Sequence, residues 1–238
     1  MTDRGFDIAH PFSLTRYNRM VDTLFQIDEK GEEPKLGMLV GNTKTIWPHF
    51  IGWLGFDTNR LGLANPLEDF VEKSLETSCQ NHLANYSILW THRNKPLSIP
   101  AQKLAHVTGL AYLSTSQLNI HPTFGPWFAL RAVVLLPGKI KGESFIAKNP
   151  CEPKHEIKAY ELFKKALAEV NGSASYSETK RNWKKWLKIR DAFEVGKEHR
   201  YGDNQINYHY TGDRAVLERE LRHKELYGSE QPNVFSTS

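Results

Sequence analysis

Between Ile120 and Gly138 the chain reads IHPTFGPWFALRAVVLLPG, and a single charged residue, Arg131, stands inside the apolar run 127–136. A stretch rich in Val, Leu and Phe, bounded by Gly-Pro and Pro-Gly, predicts a buried strand. A buried guanidinium without a partner leaves charged donors unsatisfied, so arginine is seldom found there alone. Arg131 therefore calls for an internal carboxylate or for an anionic ligand. A second arginine follows the same logic. Trp183, Trp186, Leu187 and Arg190 stand at i, i+3, i+4 and i+7, which puts Arg190 on the apolar face of a helix while Lys184, Lys185 and Lys188 face water. Asp191 projects about 100° away on that helix and is a poor partner for it. The predicted strands carry almost no acidic residues. Two inward arginines suit a ligand bearing carboxylates or phosphates, which guanidinium grips in bidentate fashion. On pattern alone, internal ion pairs and an anionic ligand both stay open.

Other chemistry is sparse. The sequence has no GxGxxG after a strand, no P-loop, no HExxH and no GxSxG. Its ten histidines show no ligand spacing, so no protein-held metal is expected. His121, ahead of Pro122, reads as a turn histidine. His106 lies in a helical stretch and reads as a helix histidine bonded to a nearby carbonyl or, alternatively, as a base. Cys79 and Cys151 are far apart and lack CxxC spacing, which is the pattern of ordinary reduced thiols. With no acid–base constellation, any catalysis would rest on a cofactor or cosubstrate.

The elements that must position these residues alternate along the chain. Ser13 caps a helix expected to run to about Gln26, and 36–40 reads as a strand. Thr45 with Trp47-Pro48 opens a helix toward Leu54. Asn65-Pro66 starts another, with Leu67, Phe70, Val71 and Leu75 as its stripe. Residues 86–91 read as a strand. The helix AQKLAHVTGLAYL carries a small-residue stripe of Ala101, Ala105 and Gly109. After the strand 127–136, helices are expected at about 155–170, 179–193 and 213–226, the first ended by Asn171-Gly172. The pattern is α+β, with a mixed sheet and a helical C-terminal third. The 238 residues suit a single domain, its sheet-containing core at about 1–150 and a helical extension at about 151–238. A net charge of +4 is too mild, and Lys180, Arg181, Lys184, Lys185 and Lys188 too helical in spacing, for a nucleic-acid surface. No run approaches the roughly 20 apolar residues of a membrane span, and no signal-peptide stretch opens the chain. A cytoplasmic protein is expected.

AQKLAHVTGLAYL followed by IHPTFGPWFALRAVVLLPG resembles the signature of the cblC-type cobalamin-processing family, the cyanocobalamin reductases/alkylcobalamin dealkylases. GFDIAHPFSLTRYN, WKKWLKIRDAF and HRY match in order and spacing, so the resemblance covers about residues 5 to 215. It implies a fold related to the flavin nitroreductases, a sheet sandwiched by helices. It implies cobalamin bound base-off, reductive decyanation with electrons from FMN or FAD and NADPH, and glutathione-dependent dealkylation yielding an S-alkyl glutathione. The product would pass to a trafficking partner of the cblD type, and the protein would be a monomer or a ligand-dependent homodimer. By the same resemblance Arg131, Arg190 and Arg214 would grip glutathione. Cobalamin contacts would fall on Ile88, Ile99, Pro100, Ala101, Gln102, Leu113, Ser114, Thr115, Asn119 and Leu130, with His106 near the lower face of the corrin. The segment LSTSQLNI is shorter than the family's hairpin, and Asn119 stands where vertebrate members have Cys. A flavin-dependent nitroreductase-like oxidoreductase and a non-catalytic cobalamin carrier are the alternative readings.

Overall fold

The structure, a computed structural model, describes residues 2–28, 35–93, 99–138, 140, 146–170 and 176–227. At its centre lies a four-stranded sheet made of β1 (Ile8–Ser13), β2 (Lys35–Asn42), β3 (Ser87–Trp90) and β6 (Ala129–Pro137), in the order β1-β2-β6-β3. Every pairing in it is antiparallel, which corrects the mixed sheet expected. The apolar runs reported burial on both faces; strand direction depends on the connections, which those runs do not encode. β1 escaped sequence detection because Pro11 interrupts it. An edge strand tolerates that proline, since one side of it needs no donor.

Helices cover both faces. On one side lie α2 (Ile46–Phe56), α3 (Pro66–His82) and α9 (Arg214–Tyr227). They bring Phe50, Trp53, Phe70, Leu75 and Leu217 against Val40, Ala132 and Val134 of the sheet. Phe50 and Phe70 are fully buried, each worth about 1.5–3 kcal/mol by apolar burial. On the other side α1 (Leu14–Met20) and α4 (Ala101–Val107) pack Tyr17, Leu104 and Ala105 on Leu39, Val133 and Leu135. Ser13 does cap α1, its hydroxyl accepting from Arg16 N–H at 3.3 Å, but α1 ends at Met20, well short of Gln26. α4 likewise stops at Val107. Leu110 and Ala111 N–H both turn back onto the Ala105 carbonyl, so Gly109 lies outside the helix and the small-residue stripe is broken.

Beyond the sheet, a hairpin of β4 (Tyr112–Leu113) and β5 (Asn119–Ile120) meets α5 (Pro153–Ala168) and α7 (Trp183–Arg190) around Ile120, Ala159, Ile189 and Phe193. α6 (Tyr176–Arg181) precedes α7, and α8 (Asp203–Thr211), which the sequence reading missed, packs Ile206 on Trp127 and Tyr201. Asn171-Gly172, expected to end α5, lies outside the described residues. The loop after β5 is locked to the turn that follows α7 by a close backbone approach. Gly125 sits at φ +54°, and a Cβ there would lie 1.8 Å from the Val195 carbonyl oxygen.

Candidate functional site

The central strand β6 is irregular at the arginine. Val40 of β2 pairs with Ala132 and Gly41 with Leu130, so Arg131 is the extra residue of a β-bulge. The facing of side chains confirms it. Ala132 and Val134 belong to the core under α2 and α3, whereas Leu130 packs with Val133 and Leu135 on the opposite face. Regular alternation would have put Leu130 and Ala132 on one side. The bulge resets the alternation and re-aims the residue between them. Two features hold it. The Arg131 carbonyl accepts from Thr91 N–H and from its hydroxyl, both at 3.0 Å. Gly41 leaves room for the Ala129 carbonyl, which a Cβ would meet at 2.6 Å.

Arg131 thus turned is partly buried, and its Nε donates to Asn42 Oδ1 at 2.6 Å. Among the described residues no carboxylate lies within ion-pair distance of Arg131 or Arg190. Burial pushes the Arg131 pKa below the usual value, opposed electrostatically by Tyr201 and Glu68. The internal ion pair that the sequence left open is therefore not what holds it.

Arg190 ends α7 and points at the same region. Its guanidinium lies 5.8 Å from the centre of the Trp127 ring and 5.8 Å from that of Tyr210, within cation–π range. Arg200 lies 5.5 Å from the same indole but is committed to Asp191 at 2.8 Å. Trp127 meets Tyr201 edge-on at 5.6 Å, and Tyr201 meets His209 at 6.1 Å. His209 keeps an exposed surface although burial, Arg190 and Arg131 together hold its pKa down at about 3. Two atoms of the cluster, Arg190 Nη1 and the Tyr201 hydroxyl, are buried with no hydrogen-bond partner. Beside them a pocket of about 370 Å³ opens between α5, α7 and the hairpin, lined by Gln102, Gln117, Phe163, Trp186, Arg190 and Tyr210.

The model of the Methylmalonic aciduria and homocystinuria type C family matches residues 5–218. The chain belongs to this family. A Mus musculus protein named cyanocobalamin reductase / alkylcobalamin dealkylase is 30% identical over 159 residues, 56% of this chain and 53% of that protein. The chain thus spans about half the length of the mammalian relatives it matches. A Danio rerio protein of the same name is 26% identical over 246 residues, covering 91% of this chain and 88% of its own. The crystal structure of a C. elegans B12-trafficking protein, CblC, shares the fold with a TM-score of 0.66 at 22% identity, covering 100% of this chain and 94% of that one.

Within this family member, the residues expected to meet cobalamin fall into a joined set with one exception. Gln102 Nε2 donates to the Gln117 carbonyl at 2.6 Å, and Asn119 Nδ2 to the Gln102 carbonyl at 3.0 Å, so 99–102 and the hairpin 113–119 are stitched together. Ile99 and Leu130 share the core on that side of the sheet. Ile88 is the exception. It pairs with Val134 and packs under α2 and α3 on the far face, as a core residue. Ser114 is buried and bonds Ser116 at 2.8 Å, whereas Thr115 is exposed. The hairpin's short turn is held from behind by Glu156, nearly buried on α5, which accepts from Tyr112 hydroxyl at 3.2 Å, from Thr115 N–H at 3.1 Å and from Asn149.

His106 Nδ1 accepts from Leu113 N–H at 3.3 Å, and burial lowers its pKa. The neutral ring then carries its proton on Nε2 and offers a donor. His121 Nδ1 accepts from Thr123 and Phe124 N–H at 3.0 and 3.2 Å, the turn role expected. Arg214, expected beside the other two arginines, instead caps the segment after α2: its guanidinium donates to the carbonyls of Leu61, Leu63 and Ala64, the last at 3.1 Å. It opens α9, and three of its five N–H donors are engaged by these carbonyls. Sequence reasoning also missed Asn42, Glu156, Tyr201 and Tyr210. Only Tyr201, in the HRY run, lay in a stretch that drew notice, and no spacing rule tied it to Arg131. Among the described residues no group of His, Cys, Asp and Glu is placed to hold a metal, and no helix is long and apolar enough to cross a membrane.

Proposed function

We propose that this chain processes cobalamin, removing its upper axial ligand, and that Arg131 and Arg190 grip the carboxylates of glutathione. The observation that carries this reading is the pair of inward guanidiniums with no carboxylate partner among the described residues, one of which, Arg190, lines an open pocket that reaches Gln102. Glutathione supplies two carboxylates and a thiol. The mouse, human and zebrafish relatives are named for decyanation and dealkylation, which agrees with such a site.

In dealkylation, the glutathione thiolate attacks the alkyl carbon, the S–C bond forms, and the electron pair of the Co–C bond stays on cobalt as cob(I)alamin. The arginines place the thiolate; positioning of this kind turns a bimolecular displacement into a nearly unimolecular one. In decyanation, one electron reaches the cobalt, cyanide leaves, and reduced FMN or FAD with NADPH behind it is the electron source. Residues 99–102 with the hairpin 113–119 form the cobalamin cradle, Leu130 lies under it, and His106 offers its Nε2–H toward the corrin's amide side arms. Arg214 supports the frame from α9. Release to a cblD-type partner completes the sequence.

The test is anaerobic incubation of the protein with methylcobalamin and glutathione while the visible spectrum is followed. Formation of cob(I)alamin with one S-methyl glutathione per cobalt is the expected result. A persistent methylcobalamin spectrum would sink the dealkylase and leave a carrier; flavin purifying in stoichiometric amount, with no cobalamin bound, would point instead to a nitroreductase-like oxidoreductase.

A further inference from the structure

Tyr201 is 3% exposed, and its hydroxyl is buried with no hydrogen-bond partner. An orphaned hydroxyl is costly in a folded protein and rare outside functional sites. This one is not isolated: its ring packs edge-on against Trp127, the indole that the Arg190 guanidinium overlies, and its phenol senses the charges of both Arg190 and Arg131. Arg190 Nη1 is the second orphan of the same cluster. Burial raises the Tyr201 pKa above the usual phenol value, so the group is protonated and can donate. These unsatisfied donors, Arg190 Nη1 on α7 and the Tyr201 hydroxyl in the loop before α8, with Trp186 Nε1 a third beside Arg190, find no acceptor among the described residues and call for one from outside.

We infer that Tyr201 is a ligand-binding residue, its hydroxyl donating to a carboxylate of the thiol cosubstrate that Arg131 and Arg190 hold. The inference rests on the glutathione reading above and adds a neutral donor to the charged pair. Each guanidinium can grip a carboxylate in bidentate fashion. The phenol adds one further donor at a fixed place, so a thiol whose carboxylate does not reach it forgoes that bond, which makes Tyr201 a determinant of which thiol is used.

The experiment compares wild type with Tyr201→Phe by calorimetric titration of glutathione and of cobalamin, together with thermal unfolding of the ligand-free proteins. Phe keeps the ring on Trp127 and deletes only the orphan. Glutathione affinity is expected to drop roughly tenfold to a hundredfold, the scale of one hydrogen bond to a charged group, with cobalamin affinity unchanged. Ligand-free stability is expected to stay level or rise. A structural hydroxyl predicts the reverse, a lower melting temperature with both ligands weakened, and that result overturns the inference. Equal glutathione affinity in the two proteins also overturns it while leaving the glutathione reading intact. Absence of glutathione binding in wild type removes both. Should the variant not fold, the ring resonances of Tyr201 in labelled wild type serve: a shift of Cζ on adding glutathione supports the hydroxyl contact, and an unmoved Cζ excludes it.

Discussion

Arg131 shows how one residue type becomes informative through its surroundings. Its Nε is satisfied by an amide oxygen, Asn42 Oδ1, which anchors the side chain without neutralising it. The charge thus remains available to a ligand in a partly dehydrated site, where a charge-assisted bond is stronger than in water. Arg131→Ala should weaken glutathione binding by tenfold or more and leave cobalamin binding within about twofold, measured by parallel titrations. Equal loss of both would mean that the guanidinium only holds the fold. Arg214 marks the opposite case. The same residue type, placed in the same ligand set by resemblance, has three of its five N–H donors on backbone carbonyls.

At the scale of elements, the β6 bulge and the β4–β5 hairpin do the positioning. Without the bulge, Arg131 would lie on the face of Val133 and Leu135, against the apolar core under α1 and α4. Gly41 makes the bulge possible, so Gly41→Ala, with its Cβ 2.6 Å from a carbonyl oxygen, should cost about 1–3 kcal/mol in urea unfolding. It should also weaken glutathione binding, because the arginine moves with the strand. An unchanged unfolding midpoint would show that the strand accommodates a regular register. The element types followed from apolar period and capping, as at Asn65-Pro66 for α3. Their ends did not: α4 ends in a local turn, with Leu110 and Ala111 N–H closing on the Ala105 carbonyl, and α1 gives way to extended backbone at Val21.

Across the whole molecule, several histidines are held neutral, and this sets an acid limit on stability. His121 is the clearest: burial, with His10 and His199 nearby, lowers its pKa to about 4, and its Nδ1 must accept two backbone N–H groups. An unfolded histidine titrates near 6.5, so between about pH 6.5 and 4 the unfolded chain binds more protons than the folded one. Stability is then complete above that window and falls as the pH drops through it, by at most about 1.5 kcal/mol between pH 6.5 and 5 from His121 alone, since solvent screening reduces the shift of a partly exposed ring. Urea unfolding at pH 7 and pH 5 should show this loss, and His121→Asn should reduce it. An equal loss in the variant would place the acid sensitivity elsewhere.

From the sequence alone came the family, the α+β class, the two inward arginines and the want of acidic partners near them, because residue type and helical or strand period are local properties. The tertiary structure decided that the sheet is antiparallel, that Ile88 belongs to the far core, and that Arg214 caps a loop. It alone brought Tyr201 and Trp127 to the arginines, for those contacts join segments about 60 to 75 residues apart, as from Trp127 or Arg131 to Arg190 and Tyr201, whose meeting depends on how the layers pack.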